Sequence, residues 1–116
     1  MTIADFTPRQ ALDQLNRQPG LTDEDLSMAL GVSKRTLIRW RTAEAYPQRD
    51  ARHTFDELLE LADDLDRVFE SREAGHTWLR SSNRYLGGLT PRDAIRVQRA
   101  DRSRAALEAL ESGVYL

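Results

Sequence analysis

The sequence contains no cysteine and only two histidines, His53 and His76. Disulfide bonds, thiolate zinc sites and cysteine nucleophiles are therefore excluded, and the two histidines lie too far apart in sequence to form a helical metal-binding pair. Hydrophobic residues make up 40% of the chain, but no stretch approaches the roughly 20 consecutive apolar residues that span a bilayer. Residues 1–5 also lack the basic and apolar segments of a secretory signal. We therefore expect a cytoplasmic protein that does not enter a membrane.

Charged side chains are distributed unevenly along the 116 residues, although the formal net charge is only −2. Residues 34–52 carry six basic and two acidic side chains, residues 54–75 carry two basic and eight acidic ones, and residues 76–116 carry seven arginines and four acids. This order predicts separate basic and acidic surfaces. The alternative is that each block is an ordinary solvated helix face. A chain of this length forms one compact domain or two very small ones, which excludes a large multidomain enzyme.

Helix signals occur along almost the whole chain, and no run of alternating β-branched residues predicts a strand. We therefore predict an all-α protein with six helices. The residues expected to cap or begin these helices are Thr7, Thr22, Ser33, Thr54, Thr90 and Asp101. The third helix is predicted to run to about Ala45, and turns are predicted around Gly75, Gly87 and Gly88.

The fourth predicted helix is the longest and spans residues 54–75. Thr54 and Glu57 have the spacing of a capping box at its start. Its apolar residues recur at helical intervals, and they are Phe55, Leu58, Leu59, Leu61, Ala62, Leu65, Val68 and Phe69. Such a wide apolar stripe exceeds what one neighbouring helix covers. We therefore expect this helix, together with the C-terminal module, to form a homodimer.

Residues 23–42 have the pattern of a helix-turn-helix, the motif that places its second helix in the major groove of DNA. Gly31 permits the tight turn, and the residues spaced to pack the two helices together are Leu26, Leu30, Val32, Leu37 and Trp40. The residues that share the opposite face of the second helix are Ser33, Lys34, Arg35, Ile38, Arg39 and Thr42. Cations there can contact phosphates and guanine edges, and an aliphatic group can contact a thymine methyl. The alternative is an ordinary antiparallel helix pair with exposed basic side chains.

The last third of the chain carries a second informative pattern. It consists of Trp78-Leu79, Asn83, Leu86-Gly87-Gly88, Thr90-Pro91, Leu107, Leu110 and Gly113-Val114. This spacing resembles the toxin-binding domain of the Xre/MbcA/ParS antitoxin family. Members of that family have an N-terminal Xre-like helix-turn-helix, a long linking helix and this C-terminal module, so the resemblance covers nearly the whole chain. One departure lies after the short helix that follows Pro91, where this chain has Arg99-Ala100-Asp101 and the family often has a glycine.

The resemblance implies a non-enzymatic antitoxin of a type II toxin–antitoxin system, whose partner is a RES-domain toxin that degrades NAD. In the family, the C-terminal module binds the toxin and the extreme C-terminus covers the NAD pocket. That role falls here on Gly113, Val114, Tyr115 and Leu116. From the residues alone, the tail can equally pack back on its own helix. We also expect repression of the antitoxin's own operon through operator DNA, with no cofactor.

The expected organisation is a DNA-binding module at residues 1–53, a linking and dimerisation helix at 54–75, and a toxin-binding module at 76–116. An alternative function is a stand-alone transcriptional regulator whose C-terminal module only dimerises. Another is an adaptor that uses the helix-turn-helix for protein contact. An enzyme is not expected, because no nucleophile and base pair, metal-ligand set or phosphate-binding loop can be assembled from these residues.

Other polar and aromatic residues have less specific interpretations. Trp78 is expected to anchor the core of the C-terminal module, and His53 and His76 are expected at helix borders. Asp63 and Asp66 share a helix face, but no loop surrounds them to complete a metal site. The arginines of residues 76–116 can meet an acidic toxin surface, DNA phosphate or only solvent.

Overall fold

The computed structural model describes residues 2–113, which form helices, turns and bends without a strand. The α-helices in this range are α1 (Pro8–Arg17), α2 (Asp23–Leu30), α3 (Lys34–Arg41), α4 (Arg49–Val68), α5 (Arg72–Leu79), α6 (Pro91–Arg96) and α7 (Ala100–Ser112). Short 3-10 turns lie at Ile3–Asp5 and Arg84–Leu86. The predicted all-α fold is therefore confirmed. Within the described range, no helix combines the length and the apolarity needed to cross a bilayer.

Most of the predicted helix starts are present. The side-chain oxygen accepts a hydrogen bond from the backbone N–H three residues further on at Thr7, Thr22, Ser33 and Thr90. Pro8 and Pro91 occupy the first positions of their helices. A backbone N–H at that position has no acceptor within the helix, so its absence in proline breaks no hydrogen bond. These local signals act within one turn of the chain, so they are visible in the sequence.

The long helix begins at Arg49, five residues before the predicted start at Thr54. Gln48, the residue after Pro47, is the N-cap and has an extended conformation, so the helix begins two residues after the proline. Thr54 lies inside α4, where its hydroxyl donates to the Asp50 carbonyl at 3.3 Å. The capping-box spacing was misleading, because residues three apart are also neighbours within a helix.

The predicted turn at Gly75 is wrong. The long helix ends at Val68, and Ser71 caps a separate helix, α5, that has Gly75 in its interior. A glycine inside a helix costs only about 1 kcal/mol relative to alanine, and the packing of α5 against α4 offsets this. The turn predicted at Gly87 and Gly88 is present, with positive φ at both residues.

Replacing Gly75 with alanine is expected to raise the free energy of unfolding by about 0.5–1 kcal/mol. Its backbone is helical, and an added Cβ would lie 3.7 Å from the Leu65 Cβ, an ordinary van der Waals distance. Urea unfolding followed by circular dichroism measures the change. The matched control is Gly20→Ala, which should destabilise because Gly20 has φ of +70° and its added Cβ would lie 2.9 Å from the His76 ring. A destabilised Gly75→Ala variant would contradict the helical assignment.

One hydrophobic core contains residues from every α-helix. Its members include Leu12 of α1, Leu26 of α2, Leu37 of α3, Phe55 of α4, Leu79 of α5, Ile95 of α6 and Leu107 of α7. Trp78 is half-buried and packs against both this core and a smaller cluster of Leu86, Ala94 and Ala106. Trp78 therefore contributes to the core of the C-terminal helices, as expected.

The apolar stripe of α4 is covered within the chain. Its buried members are Phe55, Leu58, Leu59, Leu61, Ala62 and Leu65. The helices α1, α2, α5 and α7 all contact α4. The expectation that this stripe leaves surplus apolar surface for a second copy is therefore wrong, because several helices of the same chain pack against it.

Candidate functional site

The helices α2 and α3 are joined by a tight turn and packed through the predicted residues. Gly31 is left-handed in this turn, with φ of 67°, and the Ser27 hydroxyl donates to the Val32 carbonyl. Leu26, Leu30, Leu37 and Trp40 are buried and Val32 is half-buried. The third helix ends at Arg41 instead of the predicted Ala45, because Ala43 adopts a positive φ of 62°.

The residues predicted to face DNA are all exposed, on α3 or at its ends. We call Ser33, Lys34, Arg35, Ile38, Arg39 and Thr42 the recognition face. Ser33 also caps α3, so its hydroxyl already accepts the Thr36 N–H at 3.1 Å. Ile38 is 59% exposed among the cations. The face therefore offers an accessible aliphatic group surrounded by hydrogen-bond donors.

The cations of the recognition face are available to an anionic partner. Lys34 and Arg35 have no acidic group within 4.0 Å in residues 2–113. Arg39 Nε lies 3.9 Å from Glu44 Oε2, and both side chains are exposed. Such an exposed pair contributes about 0–1 kcal/mol, so a phosphate can displace Glu44 at little cost.

Arg41 belongs to the same basic block of sequence but not to the recognition face. Its guanidinium donates to both Asp23 carboxylate oxygens at 2.9 Å and to Asn16 Oδ1 at 2.9 Å. The hydrogen bonding and charge of Arg41 lower the pKa of Asp23. This bidentate pair connects α3 to α1 and α2 and so fixes how the recognition face is presented.

A second ionic cluster connects α2 to α6. Asp25 is fully buried, and its carboxylate accepts the Thr22 N–H at 3.0 Å and the Arg92 Nε–H at 2.9 Å. Arg96 Nε lies 3.1 Å from the same Asp25 oxygen without hydrogen-bond alignment, and Arg96 Nη2 lies 3.1 Å from Glu24. We call Asp25, Arg92 and Arg96 the interhelix junction. It holds α2 against α6 and so connects the N-terminal and C-terminal helices.

Asp25→Asn is expected to lower the free energy of unfolding by about 2–3 kcal/mol at neutral pH, because two arginines lose their buried counter-charge. Burial alone would raise the pKa of Asp25, but hydrogen bonds from Thr22 and Arg92 outweigh it, and the pKa lies below its ordinary value. The ionised carboxylate therefore stabilises the fold above its unfolded pKa of about 3.9, and this contribution is lost as the pH falls through the native pKa. Urea unfolding at neutral pH and below about pH 3 should show the variant's deficit shrinking in acid.

The control for this experiment is Asp101→Asn. The hydrogen bond from Arg99 lowers the pKa of Asp101 too, but that pair lies at the surface. We therefore expect a change within about 0.5 kcal/mol. A deficit in Asp25→Asn that stays constant into acid would show that its charge is not the cause.

Side chains of the C-terminal half also bind backbone carbonyls of the N-terminal half. These contacts join His76 Nε2 to the Gln18 carbonyl at 2.9 Å, Arg80 to the Gly20 carbonyl at 3.0 Å and Gln98 to the Met28 carbonyl at 3.3 Å. His76 lies in the last turn of α5, in agreement with the expected position at a helix border. His53 lies inside α4, so the same expectation is wrong for His53.

Most C-terminal arginines have partners within the chain. Besides the junction arginines, Arg104 lies 2.9 Å from Glu60 and Arg99 pairs with Asp101. Arg84 and Arg102 are exposed and have no acidic group within 4.0 Å in the described residues. Most arginines of residues 76–116 therefore form contacts within the fold.

Asp63 and Asp66 both accept hydrogen bonds from the Gln18 side-chain amide, at 3.1 and 2.8 Å. They therefore help to connect α4 to the end of α1. In residues 2–113, no group of three or more histidines and carboxylates is arranged to hold a metal ion.

The C-terminal end of the described chain is tied to α4. Gly113 is half-buried and ends α7 in the left-handed conformation, with φ of 74°. Two residues earlier, Glu111 accepts two hydrogen bonds from Arg67, at 2.7 and 3.0 Å. Arg67 lowers the pKa of Glu111 through these bonds. The predicted tail residues Val114, Tyr115 and Leu116 lie outside the described residues.

The C-terminal sequence pattern forms one compact set of turns. The backbone of Asn83 donates to the Leu89 carbonyl at 3.0 Å and accepts from Gly88 at 2.9 Å, which closes the loop before α6. After α6, Gln98 adopts the left-handed conformation, with φ of 65°. This residue takes the strained backbone position for which glycine is usually preferred, and its side-chain bond to Met28 helps to hold it there.

Residues 64–113 match a family model described as the antitoxin Xre/MbcA/ParS C-terminal toxin-binding domain. The mycobacterial cidal antitoxin MbcA of Mycobacterium tuberculosis is 32% identical over 97 residues, which cover 84% of this chain and 85% of that protein. The MbcA of Mycobacterium bovis shows the same identity and coverage. This chain belongs to the Xre/MbcA/ParS antitoxin family. The resemblance stated from the sequence pattern is thereby confirmed.

A solved structure also resembles this antitoxin. It is the crystal structure of the M. tuberculosis MbcT–MbcA toxin–antitoxin complex, with a TM-score of 0.69 and 29% sequence identity. The match covers 93% of this chain and 96% of the matched chain. The helical arrangement is therefore shared along nearly the whole antitoxin.

The interhelix junction is the feature that sequence reasoning missed. Asp25 was visible as the third residue after the Thr22 cap, and that spacing signals a capping box. Its arginine partners lie 67 and 71 positions further along the chain, at Arg92 and Arg96. No local pattern connects residues so far apart, and the arginines by themselves resemble ordinary surface charge.

Proposed function

We propose that this antitoxin neutralises a RES-domain toxin that degrades NAD, and that its C-terminal tail covers the toxin's active site. The match of residues 64–113 to the family's toxin-binding domain carries the proposal. The similar M. tuberculosis chain comes from a toxin–antitoxin complex, which supports a protein toxin as the partner. The antitoxin itself acts by binding and supplies no catalytic group or cofactor.

The chemistry of the tail supports its assigned role. Val114, Tyr115 and Leu116 follow Gly113. Two aliphatic side chains and one aromatic ring fit an apolar cavity of the kind that binds a small ligand. The Arg67–Glu111 pair connects the last turn of α7 to α4, next to the point where the tail begins.

The direct test mixes the purified chain with a purified RES-domain toxin and follows NAD by absorbance or fluorescence. We expect stoichiometric inhibition and co-elution of the two proteins. An NAD-degrading partner that stays fully active in excess antitoxin would overturn the proposal, and so would NAD turnover by the antitoxin alone.

We further propose that the antitoxin represses its own operon from the cytoplasm as a homodimer that reads two operator half-sites. The exposed recognition face, in which Lys34 and Arg35 have no acidic group of the described residues within 4.0 Å, supports this proposal. We assign DNA recognition to residues 1–53 and toxin recognition to residues 76–116, with residues 54–75 connecting them. The toxin-bound form is expected to bind the operator more tightly.

A stand-alone transcriptional regulator is the competing function, and the recognition face favours it as much as it favours autorepression. Purification from the native host separates the two. A toxin present in stoichiometric amount supports the antitoxin, whereas a homodimer on DNA without toxin supports the regulator.

A further inference from the structure

The loop that joins α6 to α7, residues 97–99, lies against the turn of the helix-turn-helix. The Gln98 side-chain amide donates to the Met28 carbonyl at 3.3 Å, and a Cβ added at Gly31 would lie 3.1 Å from Gln98 Nε2. Gln98 also lines an open groove of about 430 Å³ whose other walls include Ser33, the N-cap of α3. A loop of the C-terminal half is therefore a direct neighbour of the recognition face.

Backbone hydrogen bonds fix the course of this loop. The N–H of Gln98 donates to the Ile95 carbonyl at 3.0 Å, and the N–H of Arg99 donates to the Ala94 carbonyl at 2.8 Å. Ile95 and Ala100, which lie before and after the loop, are buried. The three loop residues themselves are exposed. The loop therefore presents Arg99 to solvent from a defined position beside the turn.

Arg99 is the cation of this loop, and its partner within the chain can be replaced. The guanidinium donates to both carboxylate oxygens of Asp101, at 2.9 and 3.0 Å. The two side chains are 54% and 55% exposed. Exposed ion pairs contribute little to stability, and salt screens them. A phosphate offers the guanidinium the same bidentate geometry as a carboxylate, so it can take the place of Asp101.

A duplex bound by the recognition face would bring its phosphates to this loop. In helix-turn-helix complexes, the N-terminal residues of the second helix contact base edges in the major groove, which is about 8.5 Å deep. Ser33 and Lys34 at the start of α3 would then lie inside the groove. The turn before them, and Gln98 on that turn, would lie higher, at the level of the phosphates that border the groove.

We propose that Arg99 contacts a phosphate of the DNA backbone beside the recognition face, and that Gln98 positions the loop for this contact. The inference rests on the DNA binding proposed above, and it gives the C-terminal half a part in holding the duplex. A phosphate contact carries no information on base sequence. Arg99 therefore adds affinity for any duplex, whereas the recognition face selects the operator.

Fluorescence anisotropy with the full chain over a salt series tests the proposal on two duplexes. One contains the promoter region of the antitoxin's own gene, and the other has a random sequence of equal length. Arg99→Ala should weaken binding to both by the same factor, about threefold to tenfold, and lower the salt dependence of log K by about one unit. Arg99→Lys should retain most of the affinity, because it keeps the charge.

Two further variants separate this contact from effects on folding and net charge. Asp101→Asn should strengthen binding to both duplexes by about threefold, because Arg99 loses its competing acid. A folding defect cannot produce such a gain. Arg84→Ala is the matched control, since Arg84 is an exposed arginine on the second 3-10 turn, and it should bind both duplexes more tightly than Arg99→Ala does.

Three results would overturn the proposal. In the first, Arg99→Ala binds both duplexes like the wild type. In the second, it loses no more affinity than Arg84→Ala. In the third, it loses toxin inhibition while DNA binding is unchanged, which would assign the loop to the toxin interface. Each of these leaves the proposed repression standing if the wild type prefers the operator. A wild type that binds neither duplex would refute both proposals.

Discussion

Ending the chain at Gly113 is expected to abolish neutralisation of the toxin and to leave the fold intact. The Gly113 N–H donates to the Leu110 carbonyl at 3.2 Å, so this truncation keeps the cap of α7. The removed side chains of Val114, Tyr115 and Leu116 should each contribute about 1.5 kcal/mol or more when buried, which together means roughly a thousandfold loss of affinity or more. Titrating the toxin's NAD consumption with both chain lengths measures the loss.

The matched control is Glu108→Gln, which alters an exposed side chain on the same helix without touching the tail. It should inhibit like the wild type, and the thermal unfolding of both variants should match that of the full chain. If the shortened chain still protects NAD at equal concentration, the tail is not the inhibitory element. Toxin binding through residues 64–113 would then need another contact.

Replacing Lys34, Arg35 and Arg39 together with alanine is expected to weaken operator binding by at least about a hundredfold. Each contact to a phosphate or a base edge contributes about 1–3 kcal/mol, and all three side chains are exposed, so the fold should not suffer. Each lost phosphate contact should also lower the salt dependence of log K by about one unit. Gel shifts over a salt series give both quantities.

A triple substitution of arginines elsewhere controls for the change in net charge. Arg17, Arg84 and Arg102 are exposed and lie on α1, the second 3-10 turn and α7. Their replacement with alanine should reduce operator affinity much less than the recognition-face substitutions. Equal losses in the two triple variants would mean that binding follows net charge and that the recognition face is misplaced.

The predictable parts of this fold are those governed by neighbours in sequence. The Thr7, Thr22, Ser33 and Thr90 caps depend on a backbone N–H three residues away, so their residue types predict their structure. The exposure of the recognition face followed in the same way from helical periodicity. The long helix was also visible, although its start was misplaced because a capping spacing recurs inside helices.

The rest depends on contacts between distant segments. From the sequence alone, Gly75 predicts the end of a helix. Only the packing of α5 against α4 shows that this glycine lies inside one. The stripe of α4 looked too wide for a monomer because the number of helices packing on it cannot be counted from one amphipathic pattern. The partners of Asp25 were hidden for the same reason, since a buried ion pair leaves no periodic signal.

The interhelix junction limits how a gene for this protein can recombine. Consider a hybrid in which another protein's first 53 residues replace those of this chain. Arg92 and Arg96 would then lack their acidic partner unless the new segment carried an acid in place of Asp25. Exchange of one half alone is thus selected against by folding, before any effect on ligands. Related proteins should therefore inherit the two halves together, and Asp25 should be retained or lost together with Arg92 and Arg96.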